Sequence, residues 1–209
     1  MTKAIIRGLY AITQVVANDE ERLYDNVAAA LRGGARFIQY RDKVHNGVKR
    51  QRIGHRLLML CREYGATLII NDDIALCLAI GAGGVHLGKG DANINTARAQ
   101  LGETKIIGVS CYNQLQLAVQ AQQDGADYVA FGSFYNSSTK PDAVAAPLSL
   151  LTEARMHVTV PIVAIGGITV DNGQPLITAG ADALAVINGI FGEDDIKAAA
   201  QTFSDYFLD

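Results

Sequence analysis

The chain has 209 residues, 49% hydrophobic and 19% charged, which is the balance of a globular protein and excludes a disordered one. A net charge of −3 gives no general attraction to nucleic acid or to an anionic membrane, so an anionic ligand needs a locally basic site. No apolar run approaches the roughly 20 residues that span a bilayer, and the opening MTKAIIRGLY is too short and too charged for a signal peptide.

Nothing resembles a linker, so one domain over residues 1–209 is expected. Short β-rich apolar runs recur along it. They are GLYAIT from 8, RFIQYR from 36, TLIIND from 67, GVHLG from 84, KIIGVSCY from 105, DYVAFGSFY from 127, PIVAIGG from 161 and ALAVINGIF from 183. Helix-length stretches lie between them, such as Glu20–Leu31, Lys49–Glu63 and Leu115–Gln123, with apolar residues three and four apart. Several end in Gly-Ala, where glycine accepts the left-handed conformation that stops a helix and the next strand follows at once. Eight strands alternating with helices leave an open doubly wound sheet or a closed (β/α)₈ TIM barrel. The count of eight, and polar residues gathered at the C-terminal ends of nearly all strands, predict the barrel.

Cys61, Cys77 and Cys111 are odd in number and lack CxxC spacing. They predict buried thiols in a reducing cytoplasm and no disulfide framework.

The first unusual stretch is FIQYRDK, 37–43. Strand alternation puts Gln39, Arg41 and Lys43 on one face and Ile38 and Tyr40 on the other. Rising along the inner face of a barrel, the amide and the two cations would meet a bound anion at its mouth; buried without one they would be costly. In INDD, 70–73, Asp72 or Asp73 can cap the helix that follows, and Asp91 in HLGKGD is equally placed before a helix. Taken together, on neighbouring strand ends beside cations, Asp72 and Asp91 also fit a magnesium ion shared with a diphosphate. Both readings stand at this level.

In FGSFYNSSTKPD, 131–142, Asn136, Ser137, Ser138, Thr139 and Lys140 compose either a solvated turn or an anion-binding loop. The length of the loop favours function. Gly166 and Gly167 in AIGGIT, with VINGIF after strand eight, occupy the position where many barrels bind phosphate through backbone amides. His86 reads as a hydrogen-bonded structural histidine, and His45, His55 and His157 lack metal-ligand spacing. Ser110 has no assignable base, so hydrogen bonding to a ligand is its expected role. No serine–histidine–aspartate set or dinucleotide fingerprint is present; Gly81–Gly84 reads as a helix end and turn.

In their order, QYRDK, NDD, HLGKGD, GVSCY, GSFYNSSTKPD, IGGI and VINGIF resemble the thiamine phosphate synthase family over nearly the whole chain. The resemblance implies a (β/α)₈ fold and a transferase of thiamine biosynthesis. Its reaction joins 4-amino-2-methyl-5-(diphosphooxymethyl)pyrimidine to 4-methyl-5-(2-phosphooxyethyl)thiazole, giving thiamine phosphate and pyrophosphate by a dissociative route. Carried over by position, Gln39, Arg41, Lys43 and Asn71, with Ser110 and Lys140, would hold the pyrimidine diphosphate, and Asp72 and Asp91 would bind Mg²⁺. Ser137, Thr139 and Gly167, with the backbone at Ile187 and Asn188, would hold the thiazole phosphate. Tyr40, Asp42 and Ser138, inside the same motifs, are assigned with them to substrate binding. Arg41, Lys43, Ser110 and Lys140 would carry the catalysis.

Three positions depart from the family pattern: Lys89 for a frequent Gln, Asn136 for Pro and Asn188 for Ser. Lys89 adds a cation near the diphosphate or points to solvent, and Asn136 leaves its loop freer than proline would. Asn188 keeps a backbone N–H for phosphate. Rival readings are the related thiazole tautomerase, a phosphate-sugar isomerase of tryptophan or histidine synthesis, and a non-catalytic sensor of thiamine intermediates. Small-molecule substrates are the expected partners, with no nucleic acid and no membrane, and a homo-oligomer is compatible with the sequence.

Overall fold

The structure, a computed structural model, describes residues 3, 5–15, 19–136 and 145–208. Strands and helices alternate from the start: β1 (Gly8–Ile12), α1 (Glu20–Arg32), β2 (Phe37–Tyr40), α2 (Gly47–Glu63), β3 (Thr67–Asn71), α3 (Ile74–Ile80), β4 (Gly84–Leu87) and α4 (Ile94–Leu101). The order continues with β5 (Ile106–Tyr112), α5 (Leu115–Gln123), β6 (Tyr128–Phe131), α6 (Ser149–His157), β7 (Ile162–Ile165), α7 (Gln174–Thr178) and β8 (Ala183–Val186). Helices α8 (Asn188–Phe191) and α9 (Ile196–Asp205) close it. Each strand pairs in parallel with the next, and β8 returns to β1 through Gly8↔Ala183 and Tyr10↔Ala185. The sheet is thus a closed eight-stranded barrel.

Local chemistry sets these boundaries. Asp19, Asn46, Asp73, Asn93 and Asp195 cap their helices by accepting a backbone N–H three residues on. At the other ends Gly34, Gly65, Gly81, Gly125 and Gly180 have positive φ, the expected helix–glycine–strand hinge. Within the run ALAVINGIF, β8 stops at Val186, and NGIF after it winds into the short α8.

Strand alternation sorts the core into two layers. Leu9, Ala11, Ile38, Tyr40, Leu68, Ile70, Val85, Ile107, Val129, Leu184 and Val186 face outward and pack under the helices. Tyr10, Ile12, Phe37, Ile69, Ile106, Tyr128, Ala130, Val163, Ala183 and Ala185 fill the barrel. Cys61, Cys77 and Cys111 are free and buried, as expected. Among the described residues no helix is long and apolar enough to cross a membrane.

Two large rings share the interior because of one small residue. Tyr128 crosses the barrel opposite Gly108 on β5, where an added Cβ would lie 1.9 Å from the phenol Cζ. A glycine there makes room for a tyrosine inside the barrel.

Candidate active site

The C-terminal ends of the strands open into a cavity of about 790 Å³, within the usual range for small-molecule sites. Its walls are mainly apolar and aromatic, from Ile12, Ile165, Ile168, Ile187, Tyr10, Tyr112 and Tyr128. Polar groups enter at intervals: Gln39 from β2 and Arg41 just after it, Asn71 from β3, His86 from β4, Ser110 from β5 and Asn188 after β8. These surfaces suit flat heterocycles whose charged groups reach the rim.

A second, smaller cleft adjoins the first, with Asn71 lining both. Asp42, Lys43, Arg50, Asp72 and Asp73 complete it. Here the alternatives left open by the sequence separate. Asp73 caps α3, its carboxylate accepting from Leu76 N–H at 2.8 Å. Asp72 is free of that duty because its backbone is left-handed, with φ 65°, a conformation non-glycine residues adopt at a cost of about 1–3 kcal/mol and one that concentrates at functional sites. That turn aims its carboxylate at Lys43, whose Nζ donates at 2.5 Å, and at Asp91.

Asp91 is not a helix cap either; Asn93 caps α4 through Thr96 N–H at 2.8 Å. Asp91 instead accepts from Gly88 N–H at 2.6 Å and hydrogen-bonds to Asp72. The titrations of the two carboxyls split accordingly. Burial pushes Asp72 up, but Lys43 and the hydrogen bond shared with Asp91 outweigh it and hold Asp72 below the usual range. Asp91 is raised by burial, against the Gly88 N–H, and further by the Asp72 charge. Two carboxyls in contact either share one proton or, both ionised, share a cation. An all-oxygen pair is the donor chemistry of a hard divalent ion. Among the described residues no group of three His, Cys, Asp or Glu could hold a metal, so further oxygens would come from water and ligand. The pair therefore fits Mg²⁺ of the kind that is shared with a diphosphate.

Other expected residues fall as follows. Gln39 is buried with its Nε2 donating to Tyr10 OH at 3.0 Å. Arg41 lines the cavity, its backbone N–H held by Thr13 Oγ1 at 3.0 Å. Tyr40 and Asp42, expected at the substrate, are hydrogen-bonded to each other, Asp42 at the edge of the charged cleft. Tyr40 faces outward and donates to Asp42 at 2.7 Å. Asp42 is buried and also accepts from Val44 N–H, His45 N–H and His45 Nδ1, tying the β2–α2 loop into shape. The alternation that points Gln39 inward necessarily points Tyr40 away.

Gly167 and Ile187 line the cavity, as does Asn188, whose side chain accepts from Gln14. Gly167 has φ 62°, and an added Cβ would lie 2.3 Å from the Asn136 carbonyl oxygen, so only glycine lets the loops after β6 and β7 close together. Lys89 is exposed and contributes its backbone N–H, which Tyr112 OH accepts at 3.0 Å. Ser137, Ser138, Thr139 and Lys140 lie outside the described residues.

Sequence reasoning passed over Tyr10, Tyr112 and Tyr128 in the cavity wall. A β-bulge after Ser110 and φ 55° turn Tyr112 into the mouth beside Gly88, which strand alternation alone does not announce.

The family model for thiamine monophosphate synthase matches residues 9–190. The chain belongs to that family. Thiamine-phosphate synthase of Thioalkalivibrio sulfidiphilus is 50% identical over 202 residues, spanning 97% of this chain and 96% of that protein. That of Nitrosococcus oceani is 51% identical over 202 residues, 97% of this chain and 93% of its own. Among solved structures, thiamine phosphate pyrophosphorylase of Pyrococcus furiosus superposes with a TM-score of 0.87 at 35% identity, covering 96% of this chain and 95% of that one. A 3-hexulose-6-phosphate synthase, at 15% identity and TM-score 0.70, shares the fold alone.

Proposed function

We propose that the protein is a thiamine phosphate synthase that uses Mg²⁺ at Asp72 and Asp91. It would transfer the aminopyrimidine-methyl group of 4-amino-2-methyl-5-(diphosphooxymethyl)pyrimidine to the ring nitrogen of 4-methyl-5-(2-phosphooxyethyl)thiazole. The observation that carries this reading is the paired carboxylates beside Lys43, at a cleft joined through Asn71 to an aromatic cavity.

In balance, the methylene C–O bond breaks and its electron pair leaves with pyrophosphate, while the thiazole nitrogen lone pair forms the new C–N bond. Neither step needs a general base or a covalent nucleophile, so the His86–Ser110 contact serves hydrogen bonding rather than nucleophilic attack. When bound, Mg²⁺ supplies positive charge to the diphosphate oxygens and so makes pyrophosphate a better leaving group. Arg41 and Lys43, with Lys140, meet the charge that grows on those oxygens. Gln39 and Ser110 hold the pyrimidine ring, and the apolar wall of Ile12, Ile165 and Ile168 excludes water from the developing carbocation. Gly167 and the backbone at Ile187 and Asn188, with Ser137 and Thr139, fix the thiazole phosphate so that its nitrogen faces the methylene carbon. The free, buried cysteines accord with a cytoplasmic home.

The test is to supply purified protein with both substrates and Mg²⁺ and assay for thiamine phosphate and pyrophosphate in equal amounts. Their formation is expected. Interconversion of thiazole phosphate isomers without either product would instead identify a tautomerase.

A further inference from the structure

Beneath the cavity a chain of hydrogen bonds crosses the barrel from β2 to β5. Gln39 Nε2 meets Tyr10 OH at 3.0 Å, and Tyr10 OH meets Tyr128 OH at 2.9 Å. Tyr128 OH then meets His86 Nδ1 at 2.8 Å, and His86 Nε2 meets Ser110 Oγ at 2.9 Å. The His86 ring stacks on Tyr128 with centroids 5.6 Å apart. All five residues line the cavity, yet only the two ends, Gln39 and Ser110, have roles in the reaction proposed above.

The proton count along this chain is forced. An amide NH₂ only donates, so Tyr10 accepts from Gln39. Tyr10 has one hydrogen, and among the described residues its hydroxyl has one other partner, Tyr128, which must accept it. Tyr128 in turn donates to His86 Nδ1, and His86 then donates from Nε2 to Ser110. Reversing one link alone would leave a buried hydroxyl hydrogen unpaired, at a cost of about 1–3 kcal/mol. Both phenols stay protonated: burial pushes Tyr10 up to about 12, against hydrogen bonds with Tyr128 and Gln39, and burial likewise raises Tyr128 well above its ordinary value. If the Gln39 amide turned over, all the other protons would reverse with it. With His86 neutral, the two ends are therefore opposite in character.

We infer that Tyr10, Tyr128 and His86 are positioning residues that lock Gln39 Oε1 as an acceptor and the Ser110 hydroxyl as a donor towards the cavity. This arrangement complements a 4-aminopyrimidine, which offers an exocyclic N–H and accepts at a ring nitrogen. It opposes the 4-oxo analogue, whose oxygen accepts and whose ring N–H donates. Selection for the amino ring thus originates in residues behind the two groups that would hydrogen-bond its edge. The inference rests on the function proposed above.

The experiment compares kcat/KM for the 4-amino and 4-oxo pyrimidine diphosphates in the wild-type protein, Tyr128→Phe, His86→Leu and His86→Gln. The wild type is expected to prefer the amino substrate by at least about 100-fold. Tyr128→Phe and His86→Leu lose at least about tenfold of that preference, mainly through KM for the pyrimidine, with KM for the thiazole phosphate unchanged. His86→Gln, whose amide can accept from Tyr128 and donate to Ser110, retains it. Nitrogen-15 NMR of the wild-type His86 ring in the presence of the amino substrate gives a readout independent of any variant's folding: Nε2 carries the hydrogen. Product formation with an unchanged preference in Tyr128→Phe, or a hydrogen on Nδ1 alone, overturns this inference and leaves the function standing. Absence of thiamine phosphate from the wild type with the amino substrate overturns both.

Discussion

At the scale of single residues, adjacent aspartates divide the work by backbone geometry. As helix caps Asp72 and Asp73 are equivalent in sequence, and only the family resemblance singles out Asp72. The positive φ of Asp72 gives the cap to Asp73 and sends Asp72 to Lys43 and Asp91. Asp72→Asn keeps the shape and removes the charge, so turnover should fall by at least about 100-fold while circular dichroism and melting stay near wild type. Near-normal turnover would remove Asp72 from the site. Asp42 has a different signature. Burial opposes its ionised form, but Tyr40 and the N–H groups of Val44 and His45 outweigh burial and hold its carboxyl at about 2, against 3.8 ordinarily. A depressed pKa contributes stability that is complete above the unfolded value and disappears as pH falls through the folded one. The window is therefore about pH 4 to 2, and the contribution roughly 2 kcal/mol. Urea unfolding at both ends of that window should show a smaller acid loss in Asp42→Asn than in wild type; equal losses would mean that Asp42 does not govern the loop.

At the scale of elements, strand alternation decides which neighbours reach the ligand. It sends Gln39 inward and Tyr40 outward within one four-residue strand, and it puts Tyr128 opposite Gly108. Gly108→Ala would drive a Cβ against the Tyr128 ring, costing about 1–3 kcal/mol of stability and raising KM for the pyrimidine as the phenol moves off its partners. Unchanged melting and kinetics would show that the ring can yield. Helices α1, α2 and α5 were legible in sequence nearly to their ends, because apolar spacing and glycine stops agree there. Helix α8 was not: Asn188–Phe191 continues the apolar run of β8, and periodicity cannot separate a four-residue turn from a strand end. The tyrosines of the cavity floor were also illegible. An inward tyrosine on a strand has the pattern of a core filler, and its hydroxyl partners come from strands far away in sequence.

At the scale of the molecule, closure of eight parallel strands brings residues from 39 to 188 to one rim. The fold was readable from the eightfold repeat, and the cations and carboxylates from their places after strands. Their division between an aromatic cavity and a charged side cleft, joined at Asn71, depends on loop geometry that spacing does not encode. Under the proposed function, ring binding would fall to the cavity and diphosphate departure to the cleft and the adjoining rim at Arg41. The most direct test is the rate of thiamine phosphate formation from both substrates as Mg²⁺ is titrated against an excess of chelator. The account predicts a rate that rises saturably with free Mg²⁺ and falls to background under chelation, whereas equal turnover in the chelated protein would contradict it.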